Sequence, residues 1–350
     1  MTEMVNMPKS RTPAAVSCIF LVLSICAMVF PAGCDNGATK IPLRSADESA
    51  GRIAAKAMQI IEAGLADENP QVRANAIEVA AETKQIKLMP KVQRLLRDDF
   101  VPVRFAAACA VGDTEFALAR GDVSQLARDS DKNVSIAAAY AMYKLGPRNN
   151  LDIIRSAVKS SDQQTRANAI FLLGKSGDKN SVELISWAMR DENSDEKVRL
   201  NAAEAIARLG DEMIMEKLWA KVYSAYAEDK IFAIRAIGEL GTPKAKDIIA
   251  TKLDDDLAEV RLVAAEQLGM LGDTTGEPVV LAVLANKAAS GGDAEARERI
   301  DMLTALAIGR IGTPALKKHL PGLLDSPSKY VRLAAAKAVI ECGRRDNIGL

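Results

Sequence analysis

Apolar residues recur along most of this chain at one face of a helical period, measured from a repeated Val-Arg pair. The fullest copy is Val198 to Gly210, VRLNAAEAIARLG. The same anchor sits at Val72, Val103, Val134, Thr165, Val198, Asp229, Val260, Ile300 and Val331, with steps of 31, 31, 31, 33, 31, 31, 40 and 31 residues. Four past the anchor stands an alanine in every copy but Thr304, and eight past it an aliphatic residue or methionine except at Ala80. Positions i, i+4 and i+8 share one helix face, so each copy predicts an amphipathic helix. A small row at i+4 lets neighbouring helices approach closely.

Twelve past the anchor comes Gly146, Gly177, Gly210, Gly241, Gly272, Gly312 or Gly343, a residue suited to a left-handed helix end. Thr242-Pro243 and Thr313-Pro314 follow two of these glycines and predict a threonine cap with proline in the next first turn. The unit is therefore helix, turn, helix. A fixed period of this length is the mark of a solenoid, whose units bury their apolar faces only by stacking. The expected fold is all-α, a right-handed α-solenoid of about nine helix-turn-helix repeats over residues 53–345, with a tail at 346–350.

The pattern VRxxAAxAxxxLG at this period resembles the HEAT-like repeats of the phycobilisome-lyase type, across roughly residues 53–343. The resemblance implies an α-solenoid used mainly as a binding scaffold and occasionally as an enzyme. Two breaks in the period fall between helices, at Glu192 to Glu196 and between Gly272 and Ile300, where loops are expected to absorb the extra residues. An uncapped last helix would expose its alanine-rich face and favour weak end-to-end self-association, unless Arg344, Arg345 and Asp346 cover it.

Residues 1–33 read as an export signal: Lys9 and Arg11, then an apolar run from Ala14 to Phe30. Pro31-Ala32-Gly33-Cys34 resembles a lipobox, which implies lipidation of Cys34, although Pro31 stands where the motif carries leucine. An uncleaved signal anchor is the competing reading, because residues 12–34 are uncharged and just long enough to span ~30 Å of hydrocarbon. Both place the repeats outside the cytoplasm, at the cell envelope. Residues 34–52 lack helical periodicity and are expected to form a flexible tether. Beyond the signal the charge is balanced, 44 basic against 45 acidic residues, which excludes nucleic acid or an anionic bilayer as the main partner of the repeats.

A single histidine, His319, leaves no metal site built on histidine and no catalytic triad with one to spare; no phosphate loop is present. No cofactor is expected. Cys109 and Cys342 lie in the second and ninth repeats, too far apart for a disulfide. The anchor arginines are expected to pair with acidic or carbonyl groups of the preceding turn, and Trp187 and Trp219 to be packing residues. If six past the anchor lies on the inner curve, Cys109, Tyr140 and Phe171 stand side by side, flanked by Lys144, Asn168 and Lys175. That cluster is the candidate partner site, with the alternative that its rings fold into the core. The functional expectation is a non-catalytic scaffold or adaptor binding another protein along the concave face. A lyase-related enzyme or enzyme subunit, and a structural envelope component stacking end to end, are the alternatives.

Overall fold

A computed structural model describes residues 44–146, 150–286 and 293–346. The proposed signal segment and Cys34 lie outside them. The described residues form helices and turns only, and the expected all-α solenoid is what they build.

Nine inner helices follow one another: Pro70–Glu82, Val101–Asp113, Lys132–Leu145, Gln163–Ser176, Glu196–Arg208, Ala227–Leu240, Ala258–Met270, Ala294–Ile311 and Lys329–Arg345. Each is preceded by an outer element, from Arg44–Gly64 in repeat 1 to the short helices Pro314–Lys317 and Leu320–Leu324 in repeat 9. The i+4 alanines and the anchor residues Val72, Val103, Val134, Val198, Val260 and Val331 are buried between the two layers. Nine past the anchor a second row is small in every repeat but the third and ninth, with Tyr143 and Ile340, and there helix backbones come close: a side chain at Gly174 would meet the Ala205 backbone at 2.9 Å.

The helix ends follow the expected chemistry with two exceptions. Gly177, Gly210, Gly241, Gly272 and Gly312 all take positive φ, whereas Gly146 is extended and Gly343 lies inside its helix. In repeats 1 and 2 the same left-handed position is held by Lys84 (φ 47°) and Glu115 (φ 50°), which lack glycine's freedom. Thr242 caps Ala245 through its hydroxyl, but Thr313 makes no such bond, and its Oγ1 is buried without a partner.

The anchor arginines refine the expected pairing. Arg73 donates to the carbonyls of Asp67 and Glu68 in its own preceding turn, as foreseen, but its carboxylate partner is Asp98 in the following turn. Arg104 repeats this with the Asp98 and Asp99 carbonyls and the Asp129 carboxylate. Arg166 to Asp191 and Lys230 to Asp255 keep the same step of 25 residues. The ladder thus ties repeats 1, 2, 4 and 6 each to the next, while Arg199, Arg261 and Arg332 bond carbonyls of their own preceding turns.

Two expectations about the ends of the fold fail. Residues 44–52, read as tether, belong to the helix Arg44–Gly64, whose Ala54, Ala57 and Ile61 are buried. That helix and Pro70–Glu82 pack directly on Lys329–Arg345, so the last repeat meets the first. Lys337 pairs with Glu82 at 2.5 Å, Lys329 with Asp67 at 2.7 Å, and Lys56 with Asp325. The apolar flank expected to favour stacking of copies is covered by the chain's own first helix. The solenoid closes on itself as a ring.

Of the two period breaks, the first is a pinned loop in which Ser194 donates to the Ala188 carbonyl and Asp195 caps Val198. The second is not wholly loop, because Ala294–Ile311 starts six residues before its anchor and takes part of the insertion as helix.

Candidate functional site

Ring closure turns the inner curve into a narrow axis onto which the i+6 and i+10 side chains converge. The candidate cluster of repeats 2 to 4 gathers around Asp113. Tyr140 Oη donates to Asp113 Oδ1 at 2.6 Å, and Lys175 Nζ to Oδ2 at 2.5 Å. The Lys175 ammonium lies 5.4 Å from the Phe171 ring centroid and 6.0 Å from that of Tyr140. Phe171 stacks obliquely on Phe105 at 6.5 Å, bridging repeats 4 and 2 across repeat 3. Asn168 bonds Asn133 and Gln164, each at 2.9 Å, and Lys144 stands 3.8 Å from Glu115.

These residues are brought together as expected, but the open aromatic patch is not there. Tyr140 is 1% exposed and Cys109 is buried; Phe171 is half-buried. The physical reason is curvature: repeats 2 and 4 approach closely enough to close over repeat 3. Burial pushes the Cys109 thiol well up, so it stays protonated and is no nucleophile. Burial, then the charge and hydrogen bond of Asp113, likewise raise the Tyr140 phenol. For Lys175 burial opposes the charge, yet Asp113 outweighs it and holds the ammonium above its ordinary range.

The rest of the axis is paired in the same way. Arg208 bonds Glu204 at 2.6 Å and Glu239 at 3.2 Å, Arg235 meets Glu266 at 3.3 Å, and Arg310 meets Glu341 at 3.3 Å. Glu78, in repeat 1, has no such mate among the described residues: burial pushes its carboxyl up to about 8, Glu82 adds to the rise, and Lys175 and Lys337 pull it back. Groups on repeats 1, 2, 4 and 9 thus sense one another across the axis. Such an arrangement neutralises charge internally among the described residues. Among the described residues no group of His, Cys, Asp and Glu is placed to hold a metal ion, and no helix is long and apolar enough to cross a membrane.

Apart from Phe100, the exposed aromatic side chains cluster outside, on repeats 5 and 6, where sequence reasoning placed Trp187 and Trp219 as packing residues. Trp219 is 46% and Trp187 41% exposed. Trp219 and Tyr223 share one face of the outer helix Met215–Val222 and its cap, with ring centroids 5.1 Å apart. The Lys252 ammonium sits 4.0 Å from the Tyr223 centroid, and the Arg166 guanidinium 5.0 Å from that of Trp187. Tyr226, at the next turn, is 71% exposed, and Met213, before the helix, 74%. The readable signal was spacing within repeat 6: aromatics at 219, 223 and 226 exceed what one short amphipathic helix can bury.

Comparison with known families finds a match over the middle of the chain. The model of HEAT repeats matches residues 151–220 and 215–304. That stretch, residues 151–304, is similar to HEAT repeats. No curated protein matches the chain by sequence. Among solved structures, the chain is similar to human deoxyhypusine hydroxylase in complex with glycerol at 18% identity, with 75% of this chain and 97% of that one covered and a TM-score of 0.37. The complex of CpcE and CpcF of phycocyanin lyase from Nostoc sp. PCC7120 is 17% identical, with 79% and 98% covered and a TM-score of 0.42. The karyopherin Kap121p is 14% identical, with 83% of this chain and 37% of that one covered and a TM-score of 0.34.

Proposed function

We propose that this chain is a non-catalytic protein-binding scaffold of the cell envelope, whose partner docks on the outer face of repeats 5 and 6. Its HEAT repeats support the scaffold reading, since stacked helical repeats serve widely as protein-binding surfaces. The observation that carries the site is the exposure of Trp219, Tyr223, Tyr226 and Met213 on one repeat of a chain that is only 4% aromatic. Exposed tryptophan, tyrosine and methionine are the residue types enriched at interface centres. The inner curve, where a partner was first expected, is occupied by its own paired side chains. Export and attachment through Cys34, or through an uncleaved anchor, rest on the amino-terminal sequence and would hold the ring at a membrane without lipid contact by the repeats.

Photo-crosslinking in cells tests this reading, with a probe at position 219 and a control probe at position 140. A discrete partner band from 219 alone is expected. A band from 140 alone, or none from either with the protein folded, contradicts the proposed face.

A further inference from the structure

The arginine ladder defines a carboxylate seat. On Arg73, Asp98 accepts from Nε at 2.8 Å and from Nη2 at 2.9 Å, while Nη1 is held by two backbone carbonyls. Arg104 holds Asp129 at 2.9 and 3.0 Å in the same way. In repeat 9, Arg332 Nη1 makes the matching carbonyl bonds, to Ser326 at 2.7 Å and Pro327 at 2.9 Å. Among the described residues, no carboxylate hydrogen-bonds its Nε or Nη2.

Where the ladder would step next, the closing seam leaves a half-open groove of about 260 Å³ between the helices Arg44–Gly64 and Lys329–Arg345. Lys56, Lys329 and Arg332 bring positive charge to it, and Ile60, Ala63 and Leu333 give it an apolar wall. Asp67, also in the wall, is engaged by Lys329 at 2.7 Å and lies within the field of Arg332 as well, and Lys56 pairs with Asp325, so three cations face two carboxylates and one positive charge is in surplus.

We propose that this groove binds a small carboxylate with an apolar tail, its two oxygens taking on Arg332 the place that Asp98 takes on Arg73. The guanidinium edge is already oriented by the Ser326 and Pro327 carbonyls, so little freedom is lost on binding. The apolar wall receives the tail. The volume is below the ~300 Å³ at which sites for larger ligands begin, so the occupant is a short organic acid.

Equilibrium dialysis of the full chain with radiolabelled hexanoate, and with hexanamide as the uncharged analogue of equal length, tests the site. Saturable hexanoate binding, about tenfold or more tighter than hexanamide, is expected. Gln59 lines the same groove and is exposed. Gln59→Glu places a competing negative charge there and should weaken hexanoate about tenfold without moving the thermal midpoint. Arg332→Lys keeps the charge but loses the paired N–H edge and should also weaken binding. Absence of hexanoate binding, equal affinity for hexanamide, or undiminished affinity in both folded variants would overturn the proposal.

Discussion

Lys337 Nζ lies 2.5 Å from Glu82 Oε2, joining the ninth inner helix to the first. The lysine side chain is only 2% exposed. Removing one member of such a pair leaves the other buried and uncompensated, which costs about 3–5 kcal/mol. Lys337→Met should therefore lower the chemical denaturation midpoint strongly. The double variant with Glu82→Gln should recover much of the loss, because the stranded charge is gone. Equal midpoints for the single and double variants would show that the pair does not close the ring.

Glu78 gives the stability a specific pH dependence. Its folded-state pKa is raised from 4.5 to about 8, so between those values the folded chain holds a proton that the unfolded chain has released. Stability contributed by this group is present below the unfolded value and is lost as pH rises through about 8. Unfolding free energy should fall with a slope of at most ~1.4 kcal/mol per pH unit in that window. Glu78→Gln should flatten the slope and be the more stable protein at alkaline pH. Denaturation curves of both across the window check the sign.

Lys84 and Glu115 occupy left-handed positions that glycine holds in five other repeats. Either residue replaced by glycine should relieve about 1 kcal/mol of backbone strain, partly offset by glycine's greater unfolded-state freedom. Lys84→Gly is the cleaner test, since Glu115 also faces Lys144. A stabilised or unchanged Lys84→Gly variant, against a destabilised Gly177→Ala, is the expected contrast in thermal midpoint.

Trp187 and Trp219 should fluoresce as partly solvated indoles and both be quenched by acrylamide in the native ring. Trp219→Ser should change stability by no more than about 1 kcal/mol, as a surface substitution does, while removing partner capture. By contrast Cys109 and Cys342 should resist aromatic disulfide reagents until the chain unfolds. Both thiols are buried and raised, that of Cys342 to about 11.

Much of this architecture was legible in the sequence because it is written in local periods. The i, i+4, i+8 rows placed every inner helix, and the glycines twelve past the anchor marked most of their ends. The grouping of Cys109, Tyr140, Phe171 and Lys175 also followed from the period. Their burial did not, because it depends on the small rotation between repeats, which accumulates around the chain and is set by contacts such as Gly174 on Ala205. Closure is the sum of those rotations, so no single repeat announces it. The exposure of Trp187 and Trp219 was missed for a related reason: helix spacing alone does not tell an outward face from one that packs on a neighbour. A residue-by-residue reading did contain one clue to the paired axis. Arg208 and Glu239 are opposite charges one repeat apart in the i+10 row.

The most direct test of ring closure is zero-length carbodiimide cross-linking of the monomeric protein, followed by peptide mass spectrometry. Lys329 with Asp67, and Lys56 with Asp325, are in contact although more than 260 residues apart in sequence. Amide-linked peptides joining these pairs within one chain are the expected result. Efficient cross-links between neighbouring repeats, such as Lys221 with Glu196, without any link between the first and ninth repeats, would mean that the solenoid is open.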